Sequence, residues 1–315
     1  MADLVGLDPV RRSFARLFFT LRTRAQVTQD RAAKELELGR ATILRLETAE
    51  DGVKLPVRLV DAMADLFGAD DKERQLLLAL AAETRNGRQQ SWWQNYTSSE
   101  VPAWFSLYLS LEEFAKRIRV HFGDLLPGLV QEPAYARAVI SVPPGREPRE
   151  EVERRVESRL HRQRLLERSS VVFEAIGSEG ALHRMVGGAD TMRRQLERIL
   201  RLTERDNASV RIIPFGTGVH AGMAASDFTL LDFPETATAA NGNGSAMNDS
   251  IAEPALAYVE TFTGAMYTQT VSDVEAYDAV WKDLKERALT ADDSRALIEE
   301  RLKEMMRSKA QERSR

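Results

Sequence analysis

The sequence predicts a multidomain protein: an all-α N-terminal domain of five helices, then a helical segment, then an α/β C-terminal domain with a partly parallel sheet. Apolar residues first recur at helical spacing and later change to short β-branched or aromatic runs. Two such runs flank an amphipathic helix, which indicates parallel strands joined by a crossover. We expect the three parts to cover residues 1–85, 86–145 and 146–315.

The N-terminal domain is punctuated by turn and capping residues that separate its five helices. Asp51-Gly52 and Gly68 break the pattern, and Pro56 suits a first helical turn. The polar, glycine-containing residues 85–91 read as a linker. The expected helices cover about 9–24, 29–37, 40–47, 56–67 and 71–84.

The second and third helices form a pair joined by the turn Glu37-Leu38-Gly39. Thr28 precedes the second helix, where its hydroxyl can cap backbone N–H groups. Ile43 and Leu46 share the inward side of the third helix. Its outward residues are Arg40, Ala41, Thr42 and Arg45. Because arginine matches guanine edges and threonine can bond a base or touch a thymine methyl, we expect this side to enter a major groove.

The alternative is a solvated arginine surface on an ordinary helical domain. Between Arg11 and Arg45 nine basic residues face three acidic ones, whereas residues 1–85 as a whole are balanced at fourteen each. The basic excess is therefore concentrated where phosphate would be met, which favours DNA binding.

This stretch resembles the helix-turn-helix of the Cro/CI (XRE) family, on Thr28-Gln29, on the R-A-T-I-x-R-L-E pattern of 40–47, and on the trailing helix at 56–67. The resemblance implies that Gln29 holds a phosphate and that the outward residues of the third helix face base edges or flanking phosphates. It also implies a structural salt bridge between Arg22 and Glu47. We count Thr28 and Gln29 with the DNA-binding residues.

Two residues depart from the family pattern. Gly39 replaces the usual Ser or Thr cap, and Leu44 is apolar where the family tends to be polar. Leu44 either meets a dimer partner or is simply an exposed leucine, and the second interpretation is the more common one.

Composition is that of a globular protein of two or three domains, with 315 residues, 43% hydrophobic and 29% charged. The net charge is −4 and arises after residue 85, where thirty basic residues meet thirty-four acidic ones. There is no cysteine, no signal-peptide pattern and no run of eighteen apolar residues, so we expect a cytoplasmic protein without a membrane span.

The remaining elements follow from local pattern. An aromatic-rich helical segment is expected at 91–122, a short helix within 124–145 and a charged helix at 147–168. We expect a helix at 189–206, a flexible loop at 235–250 and closing helices at about 271–288 and 293–310. The expected strands are 170–177, 209–216, 227–233 and 255–261.

The region from Trp92 to about Leu302 resembles the C-terminal domain of actinobacterial XRE regulators, the WhiJ-like proteins. The match rests on W-W-x-x-Y (92–96), LLPGLVQEPAYARAVI (125–140), VGGADTMRRQL (186–196), IIPFGTGVHAG (212–222) and FTLLDF (228–233). It implies a transcriptional regulator, often encoded beside a small acidic partner protein, whose C-terminal chemistry is poorly defined.

Three functional interpretations of the C-terminal region follow: a small-molecule sensor, a module for a partner protein as in an antitoxin-like regulator, and, less favoured, an enzyme tethered to DNA. No catalytic constellation, metal-ligand spacing or cofactor motif is visible in the sequence, so we predict no enzyme, no metal and no cofactor. We further predict a homodimer on a pseudo-palindromic operator.

The aromatic cluster also has two interpretations. It is either core, which is the default, or the wall of a pocket beyond the carboxyl ends of the strands. The residues of that speculative ligand site are Trp92, Trp104, Gln131, Tyr135 and His220.

Overall fold

The computed structural model divides the chain into two compact units, residues 1–111 and 112–315. We call them the N-terminal and C-terminal units. The structure describes residues 9–50, 52–71, 73–74, 77–78, 80–81, 103–142, 148–233, 255–261 and 264–313. Within these ranges, every helix is too short or too polar to cross a membrane.

The described residues of the N-terminal unit form helices and turns, as predicted. Its described helices are α1 (Pro9–Arg24), α2 (Gln29–Glu35), α3 (Arg40–Glu47) and α4 (Val57–Leu66). Helical residues recur between 71 and 81, where the fifth helix is expected. The helix α5 (Ala103–Phe114) contains the boundary between the units.

Three phenylalanines contribute to the largely aliphatic core of the N-terminal unit. Phe14 and Phe18 lie one helical turn apart on α1, and both are buried. The ring of Phe18 meets that of Phe67 edge to face, with 5.1 Å between their centroids. Ile43 and Met63 are also fully buried, so α3 and α4 contribute apolar side chains to this core.

The C-terminal unit contains a six-stranded sheet in the order β3-β2-β1-β4-β5-β6. Strands β1, β2 and β3 are mutually parallel, whereas β4, β5 and β6 pair antiparallel. The partly parallel sheet predicted from the strand–helix–strand pattern is therefore confirmed. The strands are β1 (Arg117–Phe122), β2 (Val172–Ser178), β3 (Ala208–Ile213), β4 (Phe228–Asp232), β5 (Leu256–Thr261) and β6 (Gly264–Thr268).

Among the described residues, five longer helices accompany this sheet, together with the single turns Gly180–His183 and Gly222–Ala225. They are α6 (Pro133–Ile140), α7 (Arg149–Arg162), α8 (Ala189–Leu202), α9 (Val271–Arg287) and α10 (Ala291–Arg313). Trp281 and Leu284 of α9 pack in one apolar cluster with Ile176, Phe228 and Leu230 of the sheet. Helix α9 therefore covers one face of the sheet.

Strand β1 corrects the prediction that residues 91–122 are helical throughout. Ile118, Val120 and Phe122 alternate with polar residues, and this two-residue period is that of a strand. The strand pairs with β2 on one side and β4 on the other, so it lies inside the sheet. Strand β6 was not predicted either, and it forms the edge next to β5.

Candidate nucleic-acid interface

A buried ion pair ties the end of α1 to the end of α3. Arg22 Nε donates to Glu47 Oε1 at 2.5 Å, and the two side chains are 9% and 7% exposed. Arg22 Nη1 also donates to the carbonyl oxygen of Val27 at 2.6 Å, which anchors the loop before α2. The structural salt bridge implied by the family resemblance is therefore present.

The start of α2 is held by one side-chain cap and by one hydrogen bond that a side-chain amide donates. Thr28 Oγ1 accepts from the backbone N–H of Arg31 at 3.1 Å, as expected of an N-cap. Gln29 Nε2 donates to Glu47 Oε2 at 2.5 Å. Because a primary amide carries two N–H donors, one donor of Gln29 is left for a phosphate while the other holds Glu47.

Helix α3 presents one buried side and one exposed side. Ile43 and Leu46 are 0% and 5% exposed. On the other side Arg40, Ala41 and Arg45 are exposed and Thr42 is half-buried. An α-helix with its side chains is about 10–12 Å across, which fits the major groove of B-DNA, about 12 Å wide. Leu44 is 49% exposed.

The two arginines of α3 make only weak contacts in the free protein. Arg40 Nε lies 3.4 Å from Asp30 Oδ1, and both side chains are about 70% exposed. Arg45 Nε lies 3.4 Å from the carbonyl oxygen of Ala41. Both guanidinium groups can therefore turn toward DNA at little cost. Asp30 competes for Arg40, a role that the sequence did not indicate because the two residues belong to different helices.

A capping box opens the helical residues after α4. Asp70 Oδ1 accepts from Glu73 N at 2.8 Å, and Glu73 Oε2 accepts from Asp70 N at 2.9 Å. Arg24 donates to both carboxylate oxygens of Glu73, at 2.6 and 2.8 Å. These bonds hold the pKa of Glu73 below its ordinary value, the side-chain bond with Arg24 contributing most. Like the pair Arg22–Glu47, this contact fixes the end of α1.

In the C-terminal unit, the structure brings Gln131 and Tyr135 of the speculative ligand site together. Gln131 Nε2 donates to the carbonyl oxygen of Leu126 at 2.7 Å, and the Tyr135 hydroxyl accepts from Leu126 N at 3.2 Å. The two residues are 3% and 0% exposed. Burial raises the pKa of Tyr135.

Two further glutamines hold the same segment. Gln163 Nε2 donates to the carbonyl oxygens of Gly128 and Gln131, at 2.8 and 2.7 Å. Gln195 Oε1 accepts from Glu132 N at 2.7 Å, and its amide nitrogen donates to the carbonyl oxygen of Val130 at 2.8 Å. Side-chain amides therefore bind several backbone groups of residues 126–132, on both sides of the single helical turn Gly128–Val130.

His220 belongs to another group of contacts. Its ring centroid lies 6.3 Å from that of His121, and its Nδ1 is buried with no hydrogen-bond partner among the described residues. Burial, and then the neighbouring His121, lower the pKa of His220. Trp92 and the side chain of Trp104 lie outside the described residues. The described members of the speculative ligand site thus fall into two groups.

Two family models match the chain. A helix-turn-helix domain matches residues 13–77, and a domain of unknown function (DUF5753) matches residues 105–300. No curated protein and no solved structure matches it. The helix-turn-helix match coincides with the helices described above and marks the chain as a DNA-binding regulator.

Proposed function

Because the chain belongs to the family defined by the DUF5753 domain and carries a helix-turn-helix ahead of it, we propose that it is a sequence-specific regulator of transcription that reads double-stranded DNA with α3. The narrower resemblance to actinobacterial XRE regulators with a WhiJ-like C-terminal domain, and a cytoplasmic location, are parts of the same proposal.

The exposed side of α3 carries this proposal. Arg40 and Arg45 project from a helix whose other side is fixed in the core by Ile43 and Leu46. A rigid helix with exposed arginines can place bidentate donors against base edges without ordering a flexible segment first. Gln29, at the start of α2, supplies a phosphate contact that sets the register of α3.

The test compares Arg45→Ala with the unchanged protein on two duplexes, one selected by the protein from a random-sequence pool and one of random sequence. We expect Arg45→Ala to cost about 1–3 kcal/mol on the selected duplex, to relax preference at one base pair, and to change binding to the random duplex little. Fluorescence anisotropy titrations at one fixed salt concentration measure both affinities.

Two further variants show whether Arg45 contacts a base or only a phosphate. Arg205→Ala removes an exposed arginine from the C-terminal unit and should leave both affinities unchanged. Gln29→Ala should weaken both duplexes alike, since a phosphate contact carries no sequence information. Equal losses for Arg45→Ala on the two duplexes would show that Arg45 meets only phosphate.

The regulator is further proposed to act as a homodimer on a pseudo-palindromic operator. One reader of this type covers one half-site, and two readers about one helical turn apart supply affinity and specificity. The C-terminal unit is proposed to provide the self-association.

For the C-terminal unit we propose a signal-receiving role rather than an enzymatic one. This proposal is supported by the order of the two family domains, since the DUF5753 domain follows the helix-turn-helix domain on the same chain. The signal is a small molecule or a small co-encoded acidic protein. A small acidic reading frame beside this gene would favour the partner protein, and a biosynthetic cluster without such a frame would favour the small molecule.

A further inference from the structure

An open cleft of about 520 Å³ lies in the C-terminal unit, beside the start of β1, the end of β4 and the helix α9. Its volume falls within the range of small-molecule sites, roughly 300–1,000 Å³. The residues that line it are Lys116, Arg117, Arg119, Asp232, Phe233, Asp278, Trp281, Lys282 and Lys285.

Cations predominate on its walls, with five against two carboxylates. Arg119 is fully engaged: it donates to both oxygens of Asp232, at 2.9 and 2.7 Å, and to Asp278. Burial alone would lower the pKa of Arg119, but the bonds to the two aspartates outweigh it and raise the pKa. This trio is a buried ion-pair network that shapes the cleft rather than a free charge.

The lysines provide the unneutralised charge. Glu174 lies next to the cleft and pairs with Arg117, and more loosely with Lys285 at 3.6 Å. Lys116 and Lys282 are exposed, and neither has an ion-pair partner in the described part of the chain. These two ammonium groups flank an opening in a unit whose remaining charged residues sum to an excess of acid. A positive site of this kind attracts an anion.

The aromatic residues of the cleft belong to its closed floor. Phe233 and Trp281 are 5% and 3% exposed, and the Arg119 guanidinium lies over the Trp281 ring at 6.0 Å from its centroid. The two rings pack against the protein and offer a ligand almost no free surface, so the exposed lysines are the groups that a ligand would meet.

We propose that this cleft binds a small phosphorylated molecule through its phosphate group. Lys116, Lys282 and Lys285 meet the phosphate as point charges. The role of this molecule as the signal of the C-terminal unit rests on the proposed function. The binding site itself does not.

Isothermal titration calorimetry on the full chain tests the proposal with three probes: adenosine monophosphate, adenosine and pyrophosphate. We expect adenosine monophosphate and pyrophosphate to bind and adenosine not to bind, because the lysines meet only the phosphate. Lys282→Gln should weaken this binding about fivefold or more. Lys303→Gln removes an exposed lysine of α10 outside the cleft and should leave it unchanged.

Four results would overturn the proposal. They are no binding of adenosine monophosphate at millimolar concentration, equal weakening by Lys282→Gln and Lys303→Gln, no effect of Lys282→Gln, and adenosine binding as tightly as adenosine monophosphate. Polyglutamate serves as an acidic peptide probe. If it bound more tightly than adenosine monophosphate, and if Lys282→Gln weakened its binding, the proposed small molecule would be wrong and the cleft would be a site for an acidic protein.

Duplex binding measured on the same samples separates this inference from the proposed function. Duplex binding without nucleotide binding overturns the cleft alone. Nucleotide binding that depends on Lys282, without binding to any duplex, overturns the DNA-reading function and leaves the cleft standing.

Discussion

Glu47 accepts hydrogen bonds from two side chains, and both contacts fix the position of the helix α3. One carboxylate oxygen accepts from Arg22 at the end of α1 and the other from Gln29 at the start of α2. A single acidic side chain at the end of α3 therefore sets the position of α3 against two other helices. Its removal leaves a buried guanidinium without a counter-charge, which is more costly than losing an exposed ion pair.

Glu47→Ala should therefore lower the free energy of unfolding of the N-terminal unit by about 3–5 kcal/mol, measured by urea titration. Glu50→Ala, an exposed change close by in the chain, should stay within about 0.5 kcal/mol. The double change Arg22→Met with Glu47→Leu should lose less than Glu47→Ala, since no charge is then buried. Equal losses for Glu47→Ala and Glu50→Ala would contradict this account of the pair.

At the scale of elements, the contact of β1 with β2 leaves no room for a side chain at Gly177. A Cβ there would lie 2.3 Å from ring atoms of Phe122, far inside van der Waals contact. The φ angle of Gly177 is not in the left-handed region, so the requirement is one of space and not of backbone conformation. The fully buried ring of Phe122 occupies the place of the missing side chain.

Gly177→Ala should cost about 1–3 kcal/mol of stability of the C-terminal unit through overpacking, measured by chemical denaturation. Gly216→Ala is the matched control, because a Cβ at Gly216 meets nothing within 4 Å. Adding Phe122→Leu should recover part of the loss of Gly177→Ala. If the two changes simply add, the ring is not the obstacle.

The capping box of Asp70 and Glu73, which pairs with Arg24, should make the stability of the N-terminal unit depend on pH. The pKa of Glu73 is held below its ordinary value of 4.5, so its contribution is present above that pH and is lost as the pH falls through the lowered value. Glu73→Gln should reduce stability near neutral pH, and the difference from the unchanged protein should shrink below pH 4.5. Thermal unfolding at several pH values checks this. Glu35→Gln, an exposed change on α2, should show no such convergence.

Local pattern was enough for the helices α1 to α4 and for β2 to β5, because their spacing and end signals lie within a few residues. It failed for β1, whose alternation follows an aromatic helix without a break and whose strand form depends on pairing with β2 and β4. In the DNA-reading site, the exposed side of α3 was predictable. The bond of Gln29 to Glu47 and the pairing of Arg40 with Asp30 were not, because they join side chains of different helices.

At the scale of the whole molecule, the two compact units divide the charge. The basic residues of 11–45 belong to the unit that reads DNA, and the excess of acid follows residue 85. A chain organised in this way can bind DNA at one unit while the other receives a signal. Each unit has its own core, so a change in one is expected to leave the other folded.

The proposed homodimer is tested on the whole chain. Sedimentation at micromolar concentration should give twice the 35.4 kDa mass of one chain for the free protein, and two chains per duplex on a duplex with two half-sites. A duplex with one half-site should bind more weakly, because the second reader then finds no base contacts. A strict monomer on and off DNA would contradict the dimer.

The segment held by Gln131, Gln163 and Gln195 is fastened by groups that neither gain nor lose a proton near neutral pH. Contacts between arginines and DNA phosphates weaken steeply as ionic strength rises. Hydrogen bonds from neutral side-chain amides to backbone carbonyl oxygens are hardly screened. Changes in ionic strength that release the DNA would therefore leave this part of the C-terminal unit in place. The position of this segment is therefore expected to be independent of salt concentration, whereas the affinity for DNA is expected to fall as salt rises.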